Sequence, residues 1–188
     1  RSLVGSEMCI RDRNVSFPRS TGNTPCFYNH FVTDREEPFD QPGTPEEPKG
    51  HYIFDKPEPL WNFGHGKSYT TFDYVDCALS DTLLAASDTL KVSVMIKNTG
   101  RCDGKEVVQL YVRDKVSTVA TPIQQLKAFQ KVLVKSGESQ CVELSLPIAE
   151  LALYNAKMEE VVEPGDFEIQ IGAAVSYTHL TLPTNSLV

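Results

Sequence analysis

No run of apolar residues in this 188-residue chain approaches the roughly 18 that would carry a helix across a bilayer, so no membrane partner is expected. A block of consecutive lysines and arginines is missing too. With 18 basic against 25 acidic residues the formal net charge is −7. Such a chain is poorly suited to phosphate backbones, which excludes nucleic acid as an expected partner. Tryptophan occurs once, at Trp61. Cysteine is sparse: Cys9, Cys26, Cys77, Cys102 and Cys141 are widely spaced and none forms a C-x-x-C pair. The last four read as incidental or buried thiols, or as one disulfide, rather than as a disulfide framework.

The usual catalytic and cofactor signatures are absent as well. Gly64-x-Gly66 lacks the further glycine and the helix start that a dinucleotide or phosphate loop needs. No serine sits in a nucleophile elbow and no cysteine beside an obvious base. Cys26, His30, His51 and His65 would gather around a metal only by tertiary accident. We therefore assign no catalytic residue, no metal ligand and no cofactor. The carboxylates Glu36, Glu37, Glu46 and Glu47 stand in an acidic, proline-laden stretch, residues 33–49, whose composition is that of a solvated loop or linker.

What is present begins at residues 59–72, P-L-W-N-F-G-H-G-K-S-Y-T-T-F. Trp61, Phe63, Tyr69 and Phe72 each carry a large apolar area, and Gly64 and Gly66 allow the backbone to turn between them. A segment of this kind is suited to being clamped between larger bodies. Trp61 and His65 have two readings: packing between domains, or a place on the rim of a sugar cleft, where an aromatic face stacks on a pyranose ring. Upstream, residues 14–63 are rich in turn formers and poor in periodicity. They hold too little apolar surface for an independent domain, so residues 14–69 are expected to be loosely ordered in isolation. Residues 51–54, H-Y-I-F, suit a short strand or extended packing segment.

From Ser68 on, the pattern is all-β. Residues 72–79, 90–97, 107–113, 125–134, 140–146 and 167–171 alternate over strand-like lengths and are separated by turn signals such as Asn98-Thr99-Gly100 and Glu163-Pro164-Gly165-Asp166. The phase places Val92, Val94, Ile96, Val108, Leu110 and Val112 in the core, with Gln109, Tyr111 and Arg113 turned outward. Residues 148–153 are equally consistent with a single helical turn and with a strand edge. Short strands with turns every ten or so residues predict an antiparallel β-sandwich.

Several stretches resemble glycoside hydrolase family 3, the β-glucosidase type. Residues 59–72 are similar to its P-L-x-x-F-G-x-G-x-S-Y-T-x-F junction. Residues 16–30 resemble the S-F-P-R-S-x-G-x-x-P-x-x-Y-N-H segment closing its α/β sandwich domain. Residues 94–114, V-M-I-K-N-T-G-R-C-D-G-K-E-V-V-Q-L-Y-V-R-D, residues 126–132, L-K-A-F-Q-K-V, and residues 163–172 match motifs of its C-terminal domain, with Ala128 where glycine is usual. The resemblance implies a fibronectin type III-like (immunoglobulin-like) sandwich over residues 68–173. It implies that residues 14–67 are the irregular tail of an incomplete α/β sandwich domain plus linker. Residues 1–13 and 174–188 resemble translated sequencing-adapter read-through, the first expected to be disordered. The alternative is an ordinary N-terminus and a short C-terminal strand.

The family's mechanism is retaining, with two carboxyl groups roughly 5 Å apart flanking the scissile bond. By resemblance its aspartate nucleophile lies in an N-terminal barrel and its glutamate acid/base upstream of the P-R-S segment, and neither motif occurs here. The resemblance thus implies the non-catalytic C-terminal part of a periplasmic or secreted β-glycosidase acting on terminal β-linked sugars. Its partners are the missing N-terminal catalytic domains and, through them, an oligo- or disaccharide substrate. Two other classes remain: a free-standing carbohydrate-binding or adhesive module, and a non-catalytic spacer.

Overall fold

The computed structural model describes residues 15–23, 26–31, 44–47, 55–56 and 58–174, and the backbone of 177–184. Glu36, Glu37, Cys9, His51 and residues 1–13 fall outside the described residues, as do residues 51–54.

Among the described residues nine strands follow one another: β1 (Phe72–Leu79), β2 (Thr89–Asn98), β3 (Gly104–Asp114), β4 (Gln125–Val134), β5 (Ser139–Pro147), β6 (Leu153–Tyr154), β7 (Glu160–Val161), β8 (Phe167–Ala174) and β9 (Tyr177–Thr184). They form a three-stranded sheet, β1-β2-β5, a four-stranded sheet, β4-β3-β8-β9, and the small hairpin β6-β7. All pairings are antiparallel. The chain changes sheet between β2 and β3 and again between β4 and β5, as in the sandwich expected from the sequence. β9 falls inside the stretch that resembles adapter read-through.

Period-two alternation decides which side chains meet. In β2 every even residue from Leu90 to Asn98 is buried, and in β5 Val142, Leu144 and Leu146 answer them, with Val94 opposite Val142 in register. From the other sheet Val108, Leu110, Val112, Val132, Val134, Ile169 and Ile171 close the same core. The six residues expected inside are all there: Val92, Val94, Ile96, Val108, Leu110 and Val112 are each at most 4% exposed.

Irregularities have local causes. β1 carries a bulge between Val75 and Cys77, where Asp76 takes a left-handed conformation (φ 49°). Between β3 and β4 the register slips so that Lys127 is an extra residue; its ammonium donates to the Glu150 carbonyl at 2.7 Å, and burial pulls its pKa down. Ala128, standing where the family has glycine, is half-buried against the core. Residues 148–151 form one 3-10 turn before β6, which joins both readings of that stretch. Cys26, Cys77, Cys102 and Cys141 are thiols.

Candidate docking site on the sandwich

The turn Asn98-Thr99-Gly100 does more than reverse the chain. Asn98 falls in the inward phase of β2 and is fully buried, so its amide must find partners inside the protein. It donates to the Cys102 carbonyl at 2.8 Å and the Val134 carbonyl at 2.9 Å. Its oxygen accepts from the Thr70 hydroxyl at 2.5 Å and the Gly100 amide at 3.0 Å. Thr70 comes from the S-Y-T-T-F stretch, and the Thr99 amide donates to the Thr71 carbonyl at 2.9 Å. A Cβ at Gly100 would overlap the Thr70 hydroxyl and lie 2.8 Å from the Thr71 nitrogen; at Gly104 it would lie 2.8 Å from the Phe72 ring. The junction is thus locked to the sandwich where its first strand begins.

Just upstream, Asn62-Phe63-Gly64-His65 makes a turn closed by the His65 amide on the Asn62 carbonyl at 3.0 Å, with Gly64 at φ +78°. A third residue of that conformation favours glycine. Space demands it as well: a Cβ at Gly64 would come within 2.7 Å of Gln109 Oε1 and 3.1 Å of Ala174 Cα. The turn carries Phe63 onto the outer face of β3.

That face is covered, which the alternation of β3 did not reveal. Gln109 and Tyr111 do point away from the core, yet they are 4% and 0% exposed; only Arg113 reaches solvent. Tyr28 stacks on Phe63 (4.3 Å between ring centres, 26°) and meets Tyr111 edge-on (6.1 Å, 70°). The Tyr111 hydroxyl donates to Gln109 Oε1, and Gln109 Nε2 donates to the Ala173 carbonyl at 2.7 Å. Burial, and then the neighbouring Tyr28, push the Tyr111 phenol well above the usual tyrosine range. The Leu126 amide donates to the Tyr28 hydroxyl (3.3 Å), and the Ile123 amide to the His30 carbonyl (3.0 Å).

The described parts of residues 14–69 nonetheless have a defined seat. Few periodic groups are present, but two aromatic rings and one glycine turn meet an aromatic and amide pair on β3, contacts that work against the ordering cost. The segment is also tied to itself. Phe17 and Trp61 form an antiparallel bridge (2.8 Å from the Phe17 amide to the Trp61 carbonyl), and Asn23 Nδ2 donates to the Lys56 carbonyl at 2.6 Å.

Trp61 and His65, the two cleft-rim candidates, lie together. Their rings are 6.5 Å apart and nearly parallel (15°), Phe17 meets the indole edge-on, and Trp61 remains 37% exposed. Among the described carboxylates, Glu46 and Glu47 are exposed in their loop. No group of three or more His, Cys, Asp or Glu side chains gathers as a metal site among the described residues. No helix there is long and apolar enough to cross a membrane.

A family model described as a fibronectin type III-like domain matches residues 106–175. A β-xylosidase of Formosa agariphila is 40% identical over 160 residues, 85% of this chain and 21% of that protein. A periplasmic β-glucosidase of Salmonella typhimurium is 37% identical over 161 residues, 84% of this chain and 20% of that protein. A fibronectin type III-like domain together with β-glycosidase relatives is the pattern of the C-terminal part of a glycoside hydrolase family 3 chain. This chain corresponds to the C-terminal region of its relatives and spans about a fifth of their length. The crystal structure of a Listeria innocua β-glucosidase in complex with glucose superimposes with a TM-score of 0.80 at 33% identity, over 93% of this chain and 24% of that one. The matched region thus reaches beyond the sandwich into the docked segment.

Proposed function

We propose that this segment is the non-catalytic brace of a retaining β-glycosidase that removes terminal β-linked sugars from oligo- or disaccharides. The sandwich holds the junction between the catalytic body and itself in one place. The observation that carries this reading is the burial of Gln109 and Tyr111 under Tyr28, Phe63 and Gly64. An exposed sheet face would have no use for a fully buried tyrosine hydrogen-bonded to a buried glutamine. The names of the relatives, β-glucosidase and β-xylosidase, support the reaction class, and the periplasmic relative supports a periplasmic or secreted setting. In this reading Trp61 and His65 face the body upstream, packed against it or on the rim of its sugar cleft, and the catalytic carboxylates come from that body. Residues 1–13 and 174–188 remain, in our reading, adapter-derived.

Recovering the full-length reading frame tests the proposal. It should encode the aspartate nucleophile and the glutamate acid/base upstream, and the protein should hydrolyse an aryl β-glucoside or β-xyloside. A frame without those carboxylates would make the sandwich a spacer or a free-standing module instead.

A further inference from the structure

The two outer faces of the sandwich differ in chemistry. On the three-stranded sheet, Lys91, Lys97, Glu143 and Ser145 face solvent, with Lys91 and Glu143 paired at 3.2 Å. On the four-stranded sheet the docked segment covers Gln109 and Tyr111. Immediately beside that seat, β4 holds Phe129 67% exposed and Leu133 51% exposed. Phe129 stands opposite Gln109 in the β3–β4 register and Leu133 opposite Lys105, with exposed Lys131 between them on the same face, so two large apolar groups begin where covered surface ends. β4 is also the edge strand of its sheet. One lysine leaves both large apolar groups of this edge strand exposed, and soluble proteins tend to cover such surface.

We propose that the outer face of β4, anchored by Phe129 and Leu133, is the seat of the upstream body of the same polypeptide. This rests on the reading above that the segment belongs to a longer glycosidase. Continuity selects the occupant. The docked segment arrives from upstream and already lies on the neighbouring strand, so whatever precedes it is tethered beside β4 at high effective concentration. Size agrees, because the relatives are about five times as long as the matched region. A second copy of the chain would have to compete with that tethered body.

The test compares two proteins carrying Phe129→Ser and Leu133→Ser together. In the full-length polypeptide the pair should lower the thermal midpoint by several degrees and hasten heat inactivation of aryl-glycoside hydrolysis. In the 188-residue chain alone it should leave the melt unchanged, because both side chains are exposed there. Equal losses in both proteins would make these residues part of the sandwich's own stability; no loss in the full-length protein would leave the face to solvent. Either result overturns the proposal. So does a concentration-dependent dimer of the 188-residue chain that the substitutions abolish, which would assign the face to a second copy. The underlying reading fails differently, through a full-length protein that hydrolyses no glycoside whatever its melts show.

Discussion

Asn98 completes its hydrogen bonds inside a core of apolar side chains, and it binds three segments at once: the junction through Thr70, its own turn through Gly100 and Cys102, and β4 through Val134. Removing it strands buried partners rather than merely losing contacts, and each stranded group costs about 1–3 kcal/mol. Asn98→Ala should therefore destabilise the chain by more than Thr70→Val, which deletes a single donor; denaturant titration reads the order, and a reversed ranking would show that the amide is not the hub. Leu110 has the opposite chemistry. It is fully buried between the sheets, so Leu110→Ala should cost about 2–5 kcal/mol through lost burial and the cavity left behind. An unaltered melt would mean that β3 is out of register. Asn98 was legible as a turn residue, but its deeper role follows from phase alone: it continues the inward series Leu90, Val92, Val94 and Ile96, where a polar side chain needs buried partners.

The link between β3 and β4 is fastened by charge. Glu163, from the Glu-Pro-Gly-Asp turn before β8, accepts from the Thr118 amide at 2.9 Å and from the Thr118 hydroxyl, and these bonds hold its carboxyl below the usual range. A carboxylate whose pKa is depressed on folding contributes stability that is present above its unfolded pKa and lost as pH falls through its folded one. Glu163→Gln should thus lower the thermal midpoint at neutral pH, and the gap from the parent should close as the pH drops below the carboxylate range. Asp114 runs the other way, because burial raises its pKa, so the measurement must follow the difference between the two proteins and not the parent alone. A gap independent of pH would deny Glu163 this role. At this scale β1 to β5 and β8 were legible from alternation, since half-buried strands write their period into the chain. The β6–β7 hairpin was not. Its strands are two residues each, and its turn rests on Asn155 Oδ1 accepting from the Lys157 and Glu159 amides rather than on a glycine signal. Nor was the cover over Gln109 and Tyr111, because alternation tells which residues leave the core but not what meets them.

For the molecule as a whole, the docked segment divides into a face spent on the sandwich and a face still open. Tyr28, Phe63 and Gly64 belong to the first; Phe27 and Leu60, 61% and 45% exposed, belong to the second. The 188-residue chain should show no turnover of an aryl β-glucoside, since the two carboxylates that the family uses are expected upstream. Aglycone release that survives removal of host glycosidases would contradict this. Trp61 then reports where the open face goes. Being the sole tryptophan, it gives an emission that belongs to this region alone. In the 188-residue chain one part of its ring leans on Phe17 and His65 while 37% stays exposed, so acrylamide should quench it readily and the emission should be red-shifted. In the full-length protein a catalytic body seated over the same face should shield the indole, moving the emission to the blue and lowering the quenching constant. Phe17→Ala should make the chain's Trp61 still more accessible while leaving the sandwich melt in place, because Phe17 contacts the junction and not the core. Emission already blue and resistant to quenching in the 188-residue chain would mean that the segment buries Trp61 by itself, and the second body would then have no claim on that surface.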